Sequence, residues 1–173
     1  MNKEEYFLEK YLKPCTKVSA KFPLEIGDDS AIISSPEDLL ISSDNSVVDV
    51  HFPSLLDAYY IAYRAVAIAA SDIIAMGAYP EGYLLNITHP DPTDQWFEKF
   101  TLGIKDFNDD YGTNLIGGDL TKGELNISVT VFGKQLDRII KRRGAKVDDD
   151  IYISNALGLG KQGYERYKKH LSL

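Results

Sequence analysis

Sulfur is nearly absent from this 173-residue sequence, which carries one cysteine, Cys15, and two methionines. No internal disulfide can form, and with three histidines there is little soft or imidazole chemistry to recruit a transition metal. Basic charge is also short: 19 Lys and Arg against 26 Asp and Glu leave a net charge of −7, which argues against a nucleic-acid partner, since binding to a phosphate backbone needs a basic face. No window approaches the ~18 consecutive apolar residues of a membrane span, so no membrane partner is expected. The opening Met1-Asn2-Lys3-Glu4-Glu5 lacks the basic and apolar regions of a signal peptide, which makes a cytoplasmic protein the expectation. What is present is ordinary: 44% hydrophobic and 26% charged residues, enough for one core with at most a stub beyond it.

The pattern along the chain predicts alternating helices and strands. Tyr6, Phe7, Leu8, Tyr11 and Leu12 among charges give a short amphipathic helix over 3–12 that Pro14 ends. Ala31–Ile33 and Leu39–Ser43 flank the turn Ser34-Ser35-Pro36-Glu37 as a hairpin. A nearly continuous apolar stretch from Asp57 to Met76 reads as a buried helix, with Ser54 and Asp57 as a capping box and Gly77 and Pro80 as its stop. Tyr83–His89 alternates as a strand. Asp91 then offers an N-cap and Pro92 a first helical position, ahead of Trp96, Phe100, Ile104, Phe107 and Tyr111 at helical spacing before Gly112. Leu115–Gly117 begins a strand, Leu125, Ile127, Val129 and Val131 alternate in another, and Ile151–Ser154 reads as a short one. This succession favours an α+β fold over a doubly wound sheet.

Four aspartates stand out against their apolar neighbours: Asp29, Asp44, Asp72 and Asp119. Carboxylates beside apolar runs are costly to desolvate unless paired or bound to metal, and hard oxygen ligands favour Mg²⁺. At about 100° per residue Asp72 shares a helical face with Ile61, Ala65, Ile68 and Ala75, where it serves as a metal ligand, as half of a buried salt bridge or in an N-cap-like hydrogen bond at a helix kink. Asp28-Asp29 after Gly27 taken alone is a solvated turn. Gly117-Gly118-Asp119-Leu120-Thr121-Lys122-Gly123 combines amides, a carboxylate and a lysine as a phosphate and Mg²⁺ site would, or forms a glycine-rich hairpin connection. All four aspartates fall at predicted element ends, where side chains can converge. Gly158-x-Gly160-x-x-Gly163 has the form of a dinucleotide fingerprint, but too few residues follow for a βαβ unit, so a tight strand-to-helix turn is the better reading. His51 lies on a loop and could touch a substrate, whereas His89 and His170 read as structural or solvated. Lys141-Arg142-Arg143 is a solvated face or a phosphate contact. No Ser-His-Asp or Cys-His arrangement suggests covalent catalysis.

An ordered series over about residues 24–160 resembles the thiamine-monophosphate kinase family: Ile26-Gly27-Asp28-Asp29-Ser30-Ala31, Ser42-Ser43-Asp44, His51-Phe52, Ser71-Asp72-Ile73-Ile74-Ala75-Met76-Gly77-Ala78-Tyr79-Pro80 and Leu115-Ile116-Gly117-Gly118-Asp119. The superfamily also holds aminoimidazole ribonucleotide synthetase, selenophosphate synthetase and the hydrogenase-maturation ATPase. The resemblance implies a mixed β-sheet covered by helices on one face, a homodimer, and Mg²⁺ ligands at Asp29, Ser42, Ser43, Asp44, Asp72 and Asp119. It implies that His51 faces thiamine monophosphate, that Gly118 lies against ATP and that Arg142 contacts the ATP phosphates. The implied reaction passes the γ-phosphoryl group of ATP to thiamine monophosphate with no protein nucleophile.

This sequence departs from the family pattern at several points. Lys122 stands where arginine is usual, keeping the charge and losing the bidentate fork. Leu120 replaces a small hydroxyl residue, residues 45–50 lack the usual Glu-Gly, and Ala69 sits where asparagine is common. Family members are also far longer. The expected division is therefore an N-terminal ATP/Mg²⁺-binding and dimerisation domain over 1–140 and the start of a C-terminal domain over 141–173, with little activity alone. The alternatives are another ATP-using member of the superfamily, of the aminoimidazole ribonucleotide or selenophosphate synthetase type, and a noncatalytic dimerising remnant.

Overall fold

The aromatic and aliphatic residues at helical spacing wind Asp94–Tyr111 into helix α3, which buries Phe97, Phe100, Ile104 and Phe107 and turns its charges outward. The computed structural model describes residues 3–22, 33, 39–141, 143–153 and 155–171. The N-cap of α3 is Thr93, two positions later than Asp91: its Oγ1 accepts the Trp96 N–H at 3.1 Å. Gly112 ends the helix at φ +59°, the left-handed conformation that glycine adopts without a Cβ penalty. Replacing Thr93 with Ala is expected to cost about 1 kcal/mol of stability, read as a lower thermal midpoint, because the Trp96 N–H loses its acceptor.

Helix α2 spans Ala58–Ala75 and is capped by Asp57, whose carboxylate accepts the Tyr59 N–H at 3.0 Å. The expected Ser54 box does not form; the Ser54 N–H instead donates to Asp49 Oδ1 at 2.8 Å. By length and composition α2 is apolar enough to cross a membrane, yet Ala62, Ala65, Val66 and Ala69 are fully buried against the rest of this chain. Small residues bring α2 and α3 close together: a Cβ on Gly103 would lie 2.3 Å from the Tyr59 carbonyl oxygen. Two phenols bridge the pair, with the Tyr59 and Tyr63 hydroxyls donating to Asp106 and Asp110 at 2.8 Å each. The bond to Asp110, assisted by burial, pushes the Tyr63 hydroxyl up to about 12.

Beneath the helices lies a four-stranded mixed sheet in the order β1-β4-β2-β3, made of β1 Leu39–Val47, β2 Ala78–His89, β3 Leu115–Lys122 and β4 Asn126–Gln135. β2 and β3 are parallel and joined through α3, whereas β4 runs antiparallel to both β1 and β2. Alternation decides the faces. Ile127, Val129 and Val131 of β4, with Tyr83, Leu85 and Ile87 of β2, point into the main core, and α2 packs on β1, β4 and β2. On the opposite face Phe22, Ile116 and Phe132 form a smaller cluster with Ile33 and Leu84. The fold is thus α+β, a mixed sheet with its long helices on one face.

Several element boundaries differ from expectation. β1 continues past Ser43 to Val47 and pairs with β4, so Asp44 lies inside a strand opposite Val129. The other arm of the expected hairpin falls outside the described residues, Ile33 excepted. Gly117–Lys122 is strand and not a connection, so Asp119 too is mid-strand. Residues 151–153 are not a strand: Ile151 is 93% and Tyr152 86% exposed, and β-branched residues without a neighbouring strand have nothing to pair with. The glycine motif therefore follows no described strand; Gly158, at φ +88°, precedes helix α4, Leu159–Leu171.

The N-terminal segment begins with α1, Lys3–Phe7, and passes through a π-helical turn, Leu8–Leu12, and a 3₁₀ turn, Lys13–Cys15, so Pro14 lies inside the last turn. Phe7 stacks on Phe97 at 4.5 Å, and Lys10 and Tyr6 reach Asp94 at 2.8 and 2.9 Å. The Lys10 ammonium holds the Asp94 carboxyl below the usual carboxylate range, and Lys99 does the same to Asp57. A lowered native value stabilises the fold above the unfolded value of about 3.9, and that stability is lost as pH falls through the native value. The thermal midpoint should drop on acidification below about pH 4, and Lys99→Met should make the drop shallower. The chain divides into two compact units, Met1–Ile140 and Lys141–Leu173.

Candidate functional site

One polar contact joins the last turns of α2 to β1: the Ser42 hydroxyl donates to Asp72 Oδ2 at 3.0 Å. Sheet alternation explains it. Ser42, Asp44 and Ser46 face the helix layer, opposite Val131, Val129 and Ile127 of β4, and Ser46 is 3% exposed. Asp72 is not buried as its helical phase suggested; Ser71, Ile74 and Ala75 are exposed as well, and the buried stripe of the last turns of α2 narrows to Ala69, Ala70 and Ile73, with Asp72 on its flank. An exposed carboxylate beside a strand hydroxyl carries no desolvation penalty and stays available to a cation.

The other expected ligands sit elsewhere. Ser43 faces the opposite side of the sheet, where its hydroxyl meets Thr130 Oγ1 at 3.0 Å. Asp119 shares that opposite face with its register partner Asn86, and it accepts the Thr121 hydroxyl at 2.8 Å. β1 and β3 are the two outer strands of the order, so Asp44 and Asp119 are separated by three strand spacings, about 14 Å. Asp29 and Arg142 lie outside the described residues. Among the described residues no three His, Cys, Asp or Glu side chains gather into a group able to hold a metal ion. What the fold does gather is an all-oxygen set, Ser42 and Asp72 in contact with Asp44 one same-face step along β1. That suits Mg²⁺, which takes one or two carboxylates and completes its shell with water or substrate phosphates.

His51 closes the turn that follows β1. The Val47 N–H donates to its Nδ1 at 3.0 Å, so the neutral ring carries its proton on Nε2, and the side chain is exposed. The turn is secured by Asp49 at φ +58° and by buried Phe52, which bridges Val48. Gly118 has a structural reason of its own: at φ +152° any Cβ would lie 1.8 Å from the Leu85 carbonyl oxygen, so glycine alone lets β3 approach β2 here. Sequence reasoning passed over Thr130 and Thr121, since a hydroxyl on an alternating strand signals nothing until its cross-strand or same-face neighbour is known. It also set His89 aside as structural or solvated, whereas the register places it beside Lys122.

Comparison with known proteins supplies the relationship. Residues 27–135 match the family model for AIR synthase related protein, N-terminal domain. The chain is 36% identical to thiamine-monophosphate kinase of Haemophilus influenzae over 87% of its own length and 47% of that protein. It superposes on the crystal structure of thiamine-monophosphate kinase from Stenotrophomonas maltophilia with a TM-score of 0.85 at 31% identity, covering 96% of this chain and 54% of that one. It is likewise similar to AaThiL complexed with AMPPCP and TMP, with a TM-score of 0.73 at 30% identity over 84% of this chain and 48% of that one. The chain spans about half the length of the curated relatives it matches. With all four strands of its described sheet inside the matched segment, this chain belongs to the AIR synthase related family, of which it carries the N-terminal domain.

Proposed function

We propose that this chain is the nucleotide- and Mg²⁺-binding half of an enzyme that transfers the γ-phosphoryl group of ATP to the phosphate of thiamine monophosphate, giving thiamine diphosphate and ADP. The observation that carries the reading is the Ser42–Asp72 contact with Asp44 beside it, in a chain similar over most of its length to a protein complexed with AMPPCP and TMP. AMPPCP is ATP with a methylene in the β–γ bridge, and we take TMP as thiamine monophosphate.

Ser42, Asp44 and Asp72 are the residues to hold Mg²⁺ on the helix-covered face; the resemblance adds Asp29, while the Ser43 and Asp119 that it also names stand on the other face of the sheet, apart from this set. Bound there, Mg²⁺ would neutralise the phosphate oxygens that otherwise repel one another. The protein itself has to position: with the Val47 N–H on Nδ1, His51 presents Nε2–H as its donor to a phosphate oxygen of the acceptor. The resemblance assigns Gly118 to lie against ATP and Arg142 to contact its phosphates. No side chain attacks phosphorus; the acceptor phosphate oxygen does, and ADP leaves. Residues 1–140 are the ATP- and Mg²⁺-binding domain and 141–173 open a second domain. The working form is a homodimer in the cytoplasm, paired through the sheet face away from α2, where Ile41 is 61% exposed.

The test is ³¹P NMR of products formed by the complete reading frame containing these residues, with ATP, Mg²⁺ and thiamine monophosphate. Thiamine diphosphate and ADP in equal amounts are expected. ATP consumption that requires some other acceptor would overturn the reading.

A further inference from the structure

At the carboxyl ends of the parallel strands β2 and β3 there is a cleft of about 260 Å³ to which the proposed phosphoryl transfer gives no role. Its floor is apolar, made by Phe7, Leu120, Pro90 and Pro92. Two nitrogen-bearing side chains share one rung of the sheet above that floor: His89 and Lys122 are register partners, and alternation puts both on the helix-covered face with Leu120. The Asp91 N–H donates to His89 Nδ1 at 3.2 Å, which leaves the proton of the neutral ring on Nε2, and the ring meets Trp96 edge-on at 4.5 Å. Among the described residues the Lys122 ammonium has no hydrogen-bond or ion-pair partner. Of the nearby acids, Asp94 binds Lys10 and Tyr6, Asp119 faces the other side of the sheet, held by Thr121, and Asp91 lines the cleft beside His89.

We propose that this cleft binds a small molecule with an oxyanion, phosphate or carboxylate, on an apolar ring or short chain. Lys122 takes the anion, His89 orients it and the proline-lined floor takes the apolar body. The location is the one where open sheets with parallel strands bind ligands, outside the carboxyl ends of the strands, and an apolar lining with a few convergent polar groups is the usual composition of such a site. None of its lining residues is used by the phosphoryl-transfer reading: Ser42 and Asp72 stand across the sheet, and Asp119, although on the same strand as Lys122, faces the other side.

Trp96 is the only tryptophan of the chain and touches His89, so its fluorescence reports on this cleft directly. Titration of the 173-residue chain with phenyl phosphate or benzoate, excited at the red edge of tryptophan absorption, is expected to give a saturable change that phenol does not reproduce. Inorganic phosphate should bind more weakly than phenyl phosphate, since it lacks the apolar body. Lys122→Met should weaken binding about tenfold and Lys122→Arg should restore it, as loss and return of one charge-assisted contact require. Asp72→Asn should leave the titration unchanged. The proposal is overturned by no saturable change at millimolar ligand, by an equal response to phenol, by a Lys122→Met titration like that of the parent, or by loss of the signal in Asp72→Asn. That last result would assign the anion to the β1 and α2 residues.

Discussion

Asp72→Asn is expected, on the proposed function, to lower phosphoryl transfer roughly a hundredfold or more while the protein stays folded. The two halves of that expectation rest on different facts. Asp72 is exposed, and the Ser42 hydroxyl is the contact it makes, so an amide in its place can still accept that hydrogen bond and the fold should lose well under about 1 kcal/mol. What disappears is the negative charge, with which Asp72 would hold the proposed Mg²⁺. Parallel measurement of kcat at rising Mg²⁺ and of the thermal midpoint separates them. A fall in rate that excess Mg²⁺ partly repairs, with an unchanged midpoint, is the expected pair. A rate within a few fold of the parent would remove Asp72 from the site, and a collapsed midpoint would make it a structural residue. Ser42→Ala should lose less, about tenfold, because it removes a neutral oxygen and leaves the carboxylate.

Gly103→Ala is the substitution with the largest expected effect on stability, and two effects oppose each other there. An alanine inside helix α3 should gain about 1 kcal/mol over glycine in helical propensity. Its methyl would however lie 2.3 Å from the Tyr59 carbonyl oxygen and 3.1 Å from its carbon, both backbone atoms of α2 that no rotamer change can move. The helices must separate, which breaks the packing of the fully buried Ala62 and the Tyr59–Asp106 and Tyr63–Asp110 bonds that span the pair. Overpacking of this kind costs about 3 kcal/mol, so sterics outweigh propensity. Chemical denaturation of Gly103→Ala beside the exposed control Leu102→Ala decides it; equal stability of the two variants would contradict the close approach of α2 and α3.

The parts of the fold that were legible in the sequence are those where one periodicity dominates. α3 shows its apolar stripe without interruption, and β4 alternates Ile127, Val129 and Val131 with polar residues. What misled was local composition at strand ends. Ser42-Ser43-Asp44 and Gly117-Gly118-Asp119 have low strand propensity and read as terminators, but cross-strand pairing with β4 and β2 carries both stretches on as strand. The helical phase placed Asp72 with buried residues, but it lies on the flank of the stripe that Ala62, Val66, Ala69 and Ile73 carry into the core, and phase does not show how wide that stripe is. Ile151–Ile153 erred the other way, with high propensity and no partner strand. The candidate site was legible in residue type; the division of its members between the two faces of the sheet depends on register, which a single sequence does not display.

The strand order also sets the sequence in which the domain is assembled. β2 pairs with β3 across α3 and with β4 one element further on, Thr88 with Asn126 and Ala78 with Gln135, at smaller separations along the chain than any pairing of β1. β1 pairs with β4 across most of the domain, Leu39 with Lys134 and Val47 with Asn126, and its docking must wait until the rest has formed, because loop-closure entropy delays distant pairings. Ser42 travels with β1 and Asp72 with α2. The contact that defines the candidate site therefore belongs to the late stage of folding, and on a ribosome it could not form until β4 had emerged.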